Sequence, residues 1–278
     1  MTPNWPSYTG SDQLVGTSPS GRITVYVDPK LGQPGLQNAQ DLVRDADRVA
    51  SACEAIFGAT GGSANVIISA ISGATDGTGG AYHAGCDFHS GSAIEVCASF
   101  GHSARVTALF AATLSECWMG GNLCGVSTGE ALSRWCAAVI GNNALTDFAT
   151  APYWAQDGMP DFVGQADPTD QNPASVGCGM AFISWLMSQK YRLDQIAQTM
   201  VSLGQRGTLA QLYTGLTSDD SVNALPTFMG AIRGLPGGVT DDDPFNSRTA
   251  ATLALNPSGI EPVYPWPKAG SSGSKLPG

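Results

Sequence analysis

Two glutamates are the first groups in this sequence that could do chemistry. Glu116 and Glu130 fall in two consecutive helical patterns. Carboxyl groups that meet in one cleft can divide general-acid and general-base work, or hold a hard cation, when their surroundings separate their pKa values. A plainer role competes: Glu130 and Arg134 are spaced i, i+4 and can pair on a helix surface, while Glu116 can accept hydrogen bonds from a nearby loop. Gly125-Val126-Ser127-Thr128-Gly129 matches the G-x-S-x-G elbow of a nucleophilic serine. That elbow needs a buried strand before it and a histidine late in the chain, yet a Gly-rich loop precedes this one and the last histidine is His102. His83, Cys86 and His89 are spaced as metal ligands on a hairpin, but strand residues three apart face opposite sides, so no metal is assigned to them. Asp157, Asp161, Asp167 and Asp170 enrich one stretch in oxygen; calcium is the cation that Asp167 and Asp170 would take, and turn formation explains them equally. Tyr82, His83 and Trp154 complete the candidates, as binding residues.

Residues 23–27 alternate β-branched and aromatic side chains and predict a strand. Residues 38–57 carry Leu42, Val43, Val49, Cys53, Ile56 and Phe57 at helical spacing, with Gly58 as the stop. The apolar run 65–71 predicts a strand buried on both faces. Residues 81–83 and 94–97 predict two more. A helix then begins near Ser103, which is placed to cap it, and runs to Gly120 with Val106, Leu109, Phe110, Leu114, Cys117 and Trp118 on one stripe and Glu116 at its edge. A second helix spans 130–140 and is apolar or small almost all round. Residues 142–177 read as loop, and helical periodicity returns over 178–188, 193–203, 208–216 and 224–232. Residues 1–21 read as an N-terminal arm, 22–236 as one domain and 237–278 as an extended tail.

This order of elements resembles that of zincin metallopeptidases, in particular the glutamate-ligated gluzincins. Ser127-Thr128-Gly129-Glu130-Ala131-Leu132-Ser133 is similar to the stretch that supplies the family's third zinc ligand. Ala181-Phe182-Ile183-Ser184-Trp185-Leu186 and Lys190-Tyr191-Arg192-Leu193-Asp194-Gln195-Ile196 resemble its helical subdomain. The resemblance covers residues 23–232 and implies an α+β fold, a zincin-like mixed sheet with a long helix and a helical C-terminal subdomain. Where the family carries His-Glu-x-x-His, this chain reads Ala111-Ala112-Thr113-Leu114-Ser115-Glu116-Cys117-Trp118-Met119. Two histidines one turn apart reach one ion from one helix face. With Glu116 at the second position, Ala112 stands at the first; with Glu116 as the general base, Ser115 and Met119 flank it. Neither register makes a zinc site.

Only 13% of residues are charged while Gly and Pro number 35 and 17, so Ser, Thr, Asn and Gln must cover much of the surface. The net charge of −10, with no basic stripe, argues against nucleic acid. No apolar run reaches the roughly 20 residues of a membrane span, and the first six residues lack the features of a leader, so an exported form has already lost one. The seven cysteines contain no C-x-x-C pair and point to disulfides outside the cell, with Cys86–Cys97 closing the hairpin as one pairing and buried reduced thiols as the alternative. Three functions follow as expectations. The first is a secreted, metallopeptidase-like protein without a zinc peptidase site that binds a peptide or extracellular polymer in the former substrate cleft. The second is a hydrolase with Glu116 and Glu130 in a new role. The third is an extracellular structural protein that self-associates.

Overall fold

The computed structural model describes residues 3–89 and 93–248. In β2 (Ile23–Val27), Ile23, Val25 and Val27 are buried and Thr24 and Tyr26 half-buried, the period-two pattern of a strand with one face on a core. The helix α1 (Gly32–Phe57) then crosses to β3 (Ala64–Ser69), which pairs parallel to β2. Gly58 stops α1 in the left-handed conformation (φ 66°), which costs glycine no Cβ clash, and donates back to the Glu54 carbonyl. β5 (Ala93–Cys97) joins β3 in parallel, and β4 (Ala81–His83) lies antiparallel outside it. At the opposite edge β1 (Gln13–Thr17) runs antiparallel to β2, with a register shift between Leu14 and Gly16. The sheet order is β1-β2-β3-β5-β4.

α1 and α2 (Ser103–Trp118) pack on the face built by Val25, Val27, Val66, Ile68, Ile94 and Val96. A buried polar network fixes them to each other. The Asn38 carbonyl oxygen accepts from Ser99 N at 3.0 Å, and Ser103 Oγ donates to Asp41 at 2.6 Å. Ser103 is therefore spent on α1, and α2 starts after His102 with no side-chain cap, unlike the expected Ser103 cap. α3 (Ser127–Ile140) packs on α2 and on α5 (Pro173–Ser188), a helix buried almost all round. Arg48 on α1 makes two bonds to Asp45 and one, at 2.9 Å, to the Ile140 carbonyl at the α3 C-terminus. The short α4 (Ala151–Gln156) docks on α5, and α6 (Leu193–Leu203), α7 (Leu209–Thr217) and α8 (Ala224–Arg233) follow.

The mixed sheet and the eight α-helices among the described residues make the α+β architecture expected. Besides the Ser103 cap and α4, which lies within the stretch 142–177 read as loop, three local readings change. The stretch read as an arm contains β1 and is anchored further: Trp5 packs edge-on against Tyr26, and the Glu95 carboxylate, 1% exposed, accepts from Ser7 N, Ser7 Oγ and Tyr8 N at 2.5–2.6 Å. The first part of the tail is also tied down. Asp242 accepts from Thr150 N and Ala151 N at the start of α4, and Asp243 accepts from Ser184 and Ser247. Residues 249–278 of that tail lie outside the described residues. The disulfide is Cys86–Cys124, with Cα atoms 5.7 Å apart. Strand pairing sets Cys97 opposite Gly80, away from the loop carrying Cys86, so the expected Cys86–Cys97 bond does not form. Cys97 remains a buried thiol, as do Cys53, Cys117, Cys136 and Cys178.

Candidate functional site

The helix α2 turns Leu109, Ala112, Thr113 and Glu116 toward one cleft, and α3 turns Glu130, Arg134 and Ala138 into it from the other side. The spacing i, i+4 keeps Ala112 with Glu116 and Glu130 with Arg134 and Ala138 on single helix faces. Gly79, Gly80, Ala81 and Tyr82 form the third wall, and residues 241–248 close the far end. The volume is about 400 Å³. The apolar part of the lining comprises Leu109, Ala112, Ala138, Leu145 and Phe148.

His83 reaches across from β4. Its Nε2 lies 2.5 Å from Glu116 Oε2, and its Nδ1 meets the Gly85 carbonyl. Burial alone would lower its pKa, but the hydrogen bond to Glu116, that carboxylate's charge and the Gly85 carbonyl together raise it above 6.5. Glu130 Oε1 accepts from Arg134 Nε at 2.6 Å, and Arg134 Nη1 continues to the Phe148 carbonyl at 2.7 Å. Burial raises the Glu130 pKa, the Arg134 guanidinium opposes this, and the neighbouring Glu116 charge adds to it; the net direction is upward. One oxygen of each glutamate is thus engaged, and the other accepts no hydrogen bond among the described residues.

The disulfide braces this arrangement. Cys86 lies three residues beyond His83, and Cys124 lies three before the first residue of α3, so the bond ties the segment holding His83 to the start of the helix holding Glu130. Gly121 N adds a hydrogen bond to the Cys86 carbonyl at 2.9 Å.

β4 has a free outer side. Cys97 N donates to Gly80 O, so Gly80 and Cys97 form a hydrogen-bonded pair. The antiparallel alternation then makes Tyr82 and Glu95 the next such pair and turns the main-chain groups of Ala81 and His83 away from β5. No further strand pairs with β4 among the described residues.

Of the expected site residues, Glu116, Glu130, His83 and Tyr82 come together, and Tyr82 is half exposed at the cleft mouth. Trp154 does not join them. It is fully buried, stacks on Phe228 and donates to the Pro160 carbonyl at 2.9 Å, which makes it a core residue and unsuited to contact a ligand. Asp170 lines the cleft but Asp167 is engaged by Asn172, and among the described residues no three His, Cys, Asp or Glu side chains gather as a metal site. Cys86 is consumed by the disulfide, so the His83, Cys86 and His89 set does not assemble. Ser127 is buried in the first turn of α3 with turns before it and no strand, which removes the nucleophile elbow. Missed by sequence reasoning were Asp241 and the residues after it as part of the cleft wall. The run Asp241-Asp242-Asp243 before Pro244 was the available signal, since aspartates in series commonly cap exposed main-chain donors.

No model of a known protein family matches this chain, and no curated protein matches its sequence.

Proposed function

We propose that this chain is a zincin-like protein that has no zinc peptidase site and acts outside the cell by binding an extended peptide segment in the cleft between β4, α2 and α3. The observation that carries the reading is the open edge of β4 beside the α2 face that bears Ala112 and Glu116. An extended chain laid along that edge pairs with the main chain of Ala81 and His83, and its alternate side chains enter the cleft. The parallel strands with an antiparallel edge strand, the long helix behind it and Glu130 on the next helix support the zincin resemblance. Ala112 in place of a histidine accounts for the lack of a zinc site. The disulfide supports an extracellular setting, and no helix among the described residues is long and apolar enough to cross a membrane.

The test is direct binding of extended peptides, read by fluorescence anisotropy, with Ala81→Pro as the diagnostic variant. Proline removes one outward main-chain donor and is tolerated at a sheet edge, so the fold survives while binding falls. Peptide binding unchanged by Ala81→Pro would refute the reading.

A second reading, hydrolysis with Glu130 as the proton-holding acid and Glu116 as the base, is favoured by one observation: the two carboxyls share a cleft and Glu130 is shifted upward. Hydrolysis of peptide or glycoside substrates that is lost in both Glu116→Gln and Glu130→Gln supports it. Activity that persists in both variants rejects it.

A further inference from the structure

The charges lining the cleft are unbalanced. Over this cleft and the adjoining pocket that shares Glu116, Glu130 and Arg134 with it, six carboxylates, Glu116, Glu130, Asp170, Asp241, Asp242 and Asp243, stand against two guanidiniums, Arg134 and Arg248, and one imidazole, His83. The internal pairs do not restore balance. Glu116 with a protonated His83 is neutral, and so is Glu130 with Arg134, which leaves four aspartates against Arg248. Asp242 and Asp243 are turned onto backbone and serine donors, whereas Asp241 is exposed with only its Oδ1 engaged, by Asp243 N, and one oxygen of Asp170 accepts no hydrogen bond among the described residues. The cleft is a concave space with protein on three sides, where the fields of like charges add and are less screened than on a flat surface.

The second feature is the apolar part of the lining. One helical turn back from Glu116 along α2 stands Ala112, and the small side chains of Ala112 and Ala138 line the cleft together with the apolar Leu109, Leu145 and Phe148. Larger residues at 112 and 138 would narrow the cleft. An apolar stretch therefore adjoins a carboxylate rim along the direction in which β4 would guide a chain.

We infer that the segment taken by this cleft carries a basic side chain next to an apolar one, the cation facing the carboxylate rim of Glu116, Asp170 and Asp241 and the apolar group lying beside Ala112. The inference rests on the peptide-binding reading above and specifies its ligand class. Lysine or arginine gains attraction to the rim, and its neighbour removes apolar surface from water. A glutamate at the same place meets like charge and is rejected.

The probes are three fluorescein-labelled heptapeptides of one extended sequence with Lys-Leu, norleucine-Leu or Glu-Leu at the centre, titrated with wild type, Ala81→Pro, Ala112→Phe and the double variant Glu116→Gln with Asp241→Asn. Circular dichroism of each variant checks that it is folded. The expected result is binding of the lysine peptide about tenfold tighter than the norleucine peptide at low salt, with the preference shrinking as salt rises. The double variant loses the preference while still binding the norleucine peptide, and Ala112→Phe weakens both. Equal binding of the lysine and norleucine peptides, or a preference for glutamate, overturns the charge assignment and leaves the cleft reading standing. Preserved affinity in Ala112→Phe overturns the placement of the apolar group. Absence of binding by all three peptides, or binding untouched by Ala81→Pro, overturns both this inference and the reading beneath it.

Discussion

His83 holds its ring between a carbonyl and a carboxylate, and that contact makes the site sensitive to pH. A histidine whose folded pKa is raised above its unfolded value of about 6.5 contributes stability that is complete below that value. The contribution disappears as pH rises through the folded pKa. Glu130 acts in the same sense at lower pH, because an upward-shifted carboxyl binds its proton more tightly folded than unfolded. The contributions of these two groups therefore decline in two stages as pH rises, against the downward-shifted aspartates, whose contribution is lost as pH falls. Urea denaturation across pH 4 to 9 checks this by comparison with variants: Glu130→Gln should flatten the lower stage and His83→Gln the upper. NMR titration should place the His83 pKa above 6.5 in wild type and lower it in Glu116→Gln. The resemblance has its own residue-scale test. If α2 sits as in a zincin, Ala112→His with Thr113→Glu places a histidine, Glu116 and Glu130 around one point. The double variant should then bind zinc at one equivalent by metal analysis while wild type does not. The contact between His83 and Glu116 was not legible in the sequence, because it depends on which strand forms the sheet edge, and no spacing along the chain encodes that.

At the scale of elements, legibility followed periodicity. β2, β3, α2 and the helices after α5 were readable because each buries a full stripe or face. β1 was not, because its five residues are mostly exposed and a register shift breaks their alternation. The six-residue α4 is too short to show a helical period, and it hid Trp154, whose burial comes from packing on Phe228. Trp154→Ala should cost about 3–5 kcal/mol in urea denaturation. Peptide affinity should be unchanged in the protein that remains folded, since the side chain lies outside the cleft. Arg48 joins α1 to the end of α3, paired with an Asp45 that has no exposed surface. Arg48→Ala removes the guanidinium that makes two hydrogen bonds to this buried carboxylate, and a loss of about 3–5 kcal/mol is expected by the same measurement.

Across the whole molecule, one covalent link spans the cleft. Cys86–Cys124 closes a loop with a sequence separation of 38, for which chain entropy alone gives about 4 kcal/mol. Cys86→Ser with Cys124→Ser should lower stability by roughly 2–4 kcal/mol and weaken peptide binding further, because His83 and Glu130 lose their common brace. Three of the five remaining thiols should stay inert in the folded protein: burial pushes Cys117, Cys136 and Cys178 up to about 12, so alkylation without denaturant should leave these three unmodified. The pairing was not legible in seven cysteines, because it joins the loop after β4 to the turn between α2 and α3, and no spacing along the chain brings those together.

The anchoring of the arm on Glu95 carries a consequence for the order in which the molecule is made. Ser7 and Tyr8 leave the ribosome 88 and 87 residues before the carboxylate that receives their three hydrogen bonds. Until β5 has joined β3 there is nothing for them to hold, and closing so long a loop comes late because its entropy must be met by contacts already in place. The segment at Ser7 and Tyr8 thus settles after α1, which lies between it and Glu95 in the chain. In refolding followed by hydrogen exchange, the amides of Ser7 and Tyr8 should gain protection together with Glu95, and after those of α1.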